Sequence, residues 1–141
     1  MNLPSQAALA RYGAVKVTTA NPGQILVMLY DGLLRFLREA QAAMTAKDRT
    51  KAGERISRSH AILAYLLGTL DPSHNPDLCK NLQSVYVFCM QRLLSANLEQ
   101  DVAKLADVVR VLTPLREAWT IAVAEVAKGG GGAAPPAAPA R

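Results

Sequence analysis

The dipeptide Asn-Pro occurs twice in the chain, at Asn21, Pro22 and again at Asn75, Pro76, and each time it precedes a long run of apolar residues recurring every three or four positions. An asparagine side chain can accept hydrogen bonds from the unpaired amides of a first helical turn. Proline suits the position that follows, where its missing N–H costs nothing. Two helices therefore start at fixed points. After the second of them, Leu78, Leu82, Val85, Cys89, Leu93 and Ala96 mark an inward stripe that closes near Asn97. Between the two, residues 48–70 repeat the same period, with Ile56, Leu63, Leu67 and Leu70 on one side and Lys51, Arg55 and Arg58 on the other; Asp71 and Pro72 end that helix. A fourth helix starts close to Asp101, carries Val102, Leu105, Val109, Leu112, Trp119, Val123 and Val126, and stops at the glycine run 129–132. Pro114 inside it removes one backbone hydrogen bond, and because the apolar period resumes beyond it, a kink is expected rather than a break.

No stretch alternates with period two for long enough to build a sheet, and the connections are short. The expected fold is all-α: an antiparallel up-down-up-down four-helix bundle over residues 21–127, with a short N-terminal segment, residues 1–20, packing on it. Residues 128–141, ending "GGGGAAPPAAPAR", have almost no side chains with which to offset their ordering entropy and read as a disordered tail.

The first helix carries more hydrocarbon than one buried face needs. Ile25, Leu29, Leu33, Phe36, Leu37 and Ala40 form the expected core stripe, and Trp119 on the fourth helix belongs with them. Leu26, Tyr30 and Leu34 form a second row with Val27 and Met28 beside it, and something else must cover that row. A membrane span needs roughly 20 apolar residues, and Asp31, Gly32 and Arg35 interrupt this run too early. Two covers remain open on the pattern alone: a partner segment, or a second copy of the chain in a homodimer. Asp31 and Arg35 stand four apart, in the order that favours an ion pair along the helix.

Chemistry of other kinds has little to stand on. His60 and His74 are the only histidines, there is no cysteine cluster and no Gly-rich phosphate loop, so neither an enzyme nor a metal or other cofactor site is expected. His60 would permit a histidine phosphotransfer reading, but Leu63 and Ala64 stand where that family has a lysine and a glycine. Cys79 and Cys89, about 15 Å apart along one helix, cannot pair with each other and read as buried thiols. The net charge of +5 gathers around Lys47, Arg49, Lys51, Arg55 and Arg58, a basic stretch that Asp48 and Glu54 dilute and no aromatic interleaves. Nucleic acid is the alternative partner for it, and a solvated helix face the simpler reading. The N-terminus lacks a basic start followed by an apolar stretch, so the expected location is the cytoplasm.

Taken together, "ARYGAVKVTTANPGQILVMLYDGLLRFL", "SAN" with "QD" just after it, and "LTPLREAW" resemble the flagellin-specific export chaperones of the FliS family. The likeness spans residues 9–119 and is most specific at Met28, Leu29, Tyr30, Asp31 and Gly32. Asn21 replaces the family's usual serine and Pro114 a residue more favourable to a helix. The resemblance implies a cytoplasmic chaperone that binds the C-terminal segment of flagellin, prevents premature polymerisation and delivers it to the flagellar type III export gate, a membrane protein with a cytoplasmic domain. It also implies roles for residues. Leu26, Val27, Tyr30 and Leu34 would line the flagellin-binding groove. Tyr12, Val15 and Val17 would belong to an N-terminal lid over it, and Leu9 with Tyr12 matches the aliphatic and tyrosine pair that contacts the export gate.

Overall fold

The computed structural model describes residues 21–129, which form four helices: α1 (Pro22–Thr45), α2 (Arg49–Gly68), α3 (Pro76–Glu99) and α4 (Val102–Gly129). Leu9, Tyr12, Val15 and Val17 lie outside the described residues, as does the tail from residue 130 onwards. Each helix packs on its neighbour in sequence, and α4 returns to α1, closing a ring of four. There is no strand among the described residues.

The helix starts follow from the sequence. The Asn21 side chain accepts from the Gln24 amide at 2.8 Å while the Gln24 side chain accepts from the Asn21 amide at 3.0 Å, a reciprocal capping box that leaves two fewer amides unpaired. Asp48 and Asn75 cap α2 and α3 in the simpler way, each accepting from an amide three residues on at 3.1 Å. The tight turns need left-handed backbone, which Lys47 (φ 65°) and Gln100 (φ 53°) supply although neither is glycine. Through Pro114 the last helix runs unbroken. The proline is exposed, and the Thr113 hydroxyl just before it donates to the Val109 carbonyl at 2.7 Å.

The core corrects one sequence expectation. Leu26 and Tyr30 are wholly buried and Leu34 is only 4% exposed, so the second apolar row of α1 is interior and does not form an open groove. Ile25 and Phe36, expected at the centre of the core stripe, are its half-buried flanks, and Val27 flanks the other side. The two rows are one wide buried face. In a ring of four helices α1 lies against α2 on one side and α4 on the other, so the buried arc exceeds the single stripe of a helix resting on one layer. Trp119, Leu29 and Leu33 are buried as expected.

The ion pair expected along α1 is also redistributed. Asp31 accepts from Arg116 of α4 at 2.7 Å, while Arg35 approaches Glu39 at 3.9 Å. The Asp31 carboxylate holds the Arg116 guanidinium above its usual range, first through the hydrogen bond and then through charge.

Candidate functional site

Solvent-facing helix surface normally carries charge, and the middle of α3 has almost none. Between Lys80 and Glu99 its only charged residue is Arg92. Val87, Leu94 and Leu98 recur with Gln91 at four-, three- and four-residue steps along the outside of the helix, and Leu94 and Leu98 are 57% and 84% exposed. Phe88, 41% exposed, stands beside this row in line with Ser84 and Ser95. Val102, which the sequence pattern assigned to the interior, is exposed at the start of α4. A run of this kind on a surface helix marks an interaction site more often than a solvated face.

The α2 helix supplies a low wall next to the strip. Gly53 of α2 faces Asn97 of α3, where a Cβ on the glycine would stand 3.7 Å from the asparagine side chain. Ser57, His60, Ala64 and Leu67 continue from Gly53 at helical steps, so apart from His60 and Leu67 this side of α2 is built of small residues. At the α2–α3 turn the surface deepens into a cavity of about 320 Å³ lined by Leu67, Leu70, Pro72, Pro76, Cys79 and Lys80 among others. A shallower cleft of about 220 Å³ opens farther along α3, between Phe88, Gln91, Arg92 and Ser95.

Polar groups border the strip on the α4 side. The Arg92 guanidinium lies over the Phe88 ring, 5.4 Å from its centroid, and reaches Asp107 of α4 at 3.3 Å. Arg110 holds the same carboxylate at 2.9 Å. The Arg92 Nε–H is turned inward and has no acceptor. One turn along, the Lys104 ammonium donates to Ser95 and to Glu99, which lowers the Glu99 pKa.

Among the described residues no three His, Cys, Asp or Glu side chains are placed to hold a metal ion. Burial pushes the Cys89 thiol up to about 12, which leaves it protonated and unreactive, and the Cys79 thiol donates to the Asp71 carbonyl. Neither thiol is in a disulfide. His60 is half-buried and His74 exposed. Two of the five cations of the basic stretch are engaged: Arg55 pairs with Glu39 at 2.6 Å and also with Glu54, and Arg58 pairs with Glu54 and, with Arg35, flanks the ring of Phe36. No helix among the described residues is long and apolar enough to cross a membrane.

Of the residues expected in a groove, Leu26, Tyr30 and Leu34 are thus in the interior, and Val27 alone is partly accessible. The α3 strip does not stand out in the apolar spacing, because its residues fall between those of the inward stripe. The readable signal was the scarcity of charge between Lys80 and Glu99.

Residues 5–126 match the family model described as Flagellar protein FliS. The chain is 33% identical over 112 residues to the flagellar secretion chaperone FliS of Bacillus subtilis (strain 168), covering 79% of this chain and 83% of that one. It is 32% identical over 106 residues to the protein of the same name from Escherichia coli (strain K12), covering 73% and 76% of the two chains. The counterpart in Campylobacter jejuni is 32% identical over 99 residues, 70% of this chain and 77% of its own.

Proposed function

Since the chain belongs to the FliS family, a family of flagellar secretion chaperones and not of enzymes, we propose that it binds the C-terminal segment of flagellin in the cytoplasm. It keeps that segment from polymerising early and delivers it to the flagellar export gate. The observation that supports this most directly is the charge-poor outer face of α3, where Val87, Phe88, Leu94 and Leu98 offer an apolar strip beside the small residues of α2. An amphipathic segment laid along such a strip buries hydrocarbon on both partners without stranding a charge. Val27 on the flank of α1 is a further point of contact, whereas Leu26, Tyr30 and Leu34 act by holding the scaffold.

Residues 1–20 would then serve as a lid between cargoes, with Leu9 and Tyr12 meeting the export gate. Removing residues 1–18 leaves flagellin binding equal or tighter if the lid competes for the strip, because a self-occupied site binds in proportion to the fraction that is open.

The experiment is calorimetric titration of a flagellin C-terminal fragment into wild type, Leu94→Asp and Leu98→Asp, with gel filtration of the free protein alongside. Wild type binds at one to one, and each aspartate, placed where free protein meets water, weakens binding a hundredfold or so. A wild type that ignores the fragment and elutes as a dimer, which Leu94→Asp turns into a monomer, would assign the strip to a second copy of the chain instead.

A further inference from the structure

The geometry points to Arg92 as the place where the bound segment must deliver a carboxylate. This rests on the reading of α3 as the docking face and adds to it the chemistry of the partner. Three observations carry it. First, Arg92 is the one charge on α3 between Lys80 and Glu99, so along that stretch of the helix a partner meets a single positive side chain. Second, that charge is under-neutralised. Asp107 is shared between two guanidinium groups and sits nearer to Arg110, at 2.9 Å, than to Arg92, at 3.3 Å. Glu99 is within electrostatic range but is held by Lys104 and Ser95, so the group of Arg92, Lys104, Arg110, Asp107 and Glu99 keeps one net positive charge (three cations, two anions). Third, the Arg92 Nε–H has no acceptor, and the side chain borders the cleft between Phe88, Gln91 and Ser95.

A buried donor without a partner is a debt that native structures seldom carry. Rotation about the Cα–Cβ, Cβ–Cγ and Cγ–Cδ bonds of Arg92 that lifts the guanidinium off the Phe88 ring would turn its N–H groups towards the cleft, where a carboxylate from the partner can accept from them. The rotation also frees the face of Phe88 for an apolar side chain of the same segment. The partner is therefore an apolar stretch interrupted by one Asp or Glu, whose acidic residue sets the register along α3. A fork of parallel N–H groups favours a carboxylate over a lone carbonyl.

The test is titration of the flagellin C-terminal fragment into full-length wild type, Arg92→Gln and Asp107→Asn, at low salt and at about 0.3 M salt, with a melting curve for each. Wild-type binding weakens with salt. Arg92→Gln binds about tenfold or more weakly at low salt and loses most of the salt dependence. Asp107→Asn removes the competing carboxylate, raises the local charge, and binds several-fold more tightly at low salt with a steeper salt dependence, a gain that no loss of folding could imitate. Arg92→Gln binding within twofold of wild type with the same salt dependence overturns the inference. So does Asp107→Asn binding no more tightly than wild type. If wild type binds, Leu94→Asp does not, and Arg92→Gln does, the carboxylate contact alone is wrong and the docking face stands. If wild type does not bind the fragment, both fall.

Discussion

The hydroxyls of Tyr30 on α1 and Tyr86 on α3 meet at 2.7 Å in the middle of the bundle, across 56 residues of sequence and from opposite corners of the ring. Both residues are wholly buried, and Trp119 stands edge-on to Tyr30 with ring centroids 6.5 Å apart. The indole N–H lies close enough to Tyr30 to offset part of the burial effect on its phenol, yet is not aligned on any acceptor. The bundle thus has a small polar centre in a hydrocarbon interior.

Each tyrosine hydroxyl is satisfied chiefly by the other. Tyr30→Phe or Tyr86→Phe alone strands a hydroxyl and costs about 1–3 kcal/mol, whereas the double change removes both partners and costs less than the two singles summed. Denaturant unfolding of the four proteins measures the coupling. Additive losses would mean the pair does not hold α1 to α3.

The same centre makes the fold sensitive to base. Burial raises the pKa of Tyr30, Tyr86 and Cys89, the last to about 12, so each neutral form is favoured when folded and the unfolded chain ionises first. Stability should therefore hold below about pH 8 and decline as pH rises past the ordinary cysteine and tyrosine values of about 8.5 and 10. In Cys89→Ala the decline should begin nearer pH 10. A flat profile to pH 11 would contradict the buried neutral centre.

Trp119→Ala should cost about 3–5 kcal/mol, since the indole is buried against Tyr30. Trp119→Phe keeps a ring and deletes the unpartnered N–H, and should cost less than half as much. A shift under about 1 kcal/mol for the alanine would put the indole at the surface.

Charge placed on α1 and on α3 should have opposite consequences. Leu26→Asp buries a carboxylate where nothing can pair with it and should unfold the bundle at room temperature. Leu98→Asp, at a side chain 84% exposed, should change stability by no more than about 0.5 kcal/mol. Thermal melting of both proteins decides which of the two apolar rows is interior and which faces water.

Two backbone changes should stabilise, in opposite chemical directions. Gly53 lies in the interior of α2, where a methyl group would meet only Asn97 at ordinary contact distance, so Gly53→Ala should add about 0.5–1 kcal/mol. Lys47 sits in left-handed backbone, and Lys47→Gly should add up to about 1 kcal/mol by relieving it. A loss in either protein would show that the small residue or the strained one serves packing instead.

The helices and their caps were legible because they are local. Asn21, Asp48 and Asn75 reach amides three residues away, and nothing distant can change that. The width of the face on α1 was not legible, since it depends on how many neighbours the helix has, and Leu26, Tyr30 and Leu34 look alike whether they meet α4 or a partner. Asp31 shows the same limit: Arg35 is near in sequence, but the carboxylate is met by Arg116, 85 residues away. The outer face of α3 was legible in principle. Its signal is a lack of charged residues, which a search for apolar spacing passes over.

The ring closed by Asp31 and Arg116 joins the first helix described to the last, and this sets an order on biosynthesis. At the usual rate of about 5–20 residues per second, roughly 4–18 seconds separate the appearance of Tyr30 from that of Trp119. The α1–α2 hairpin can form in that interval, but one flank of α1 stays bare until α4 arrives. A ribosome that stalls in the second half of the message would therefore release a chain with its broadest apolar face uncovered.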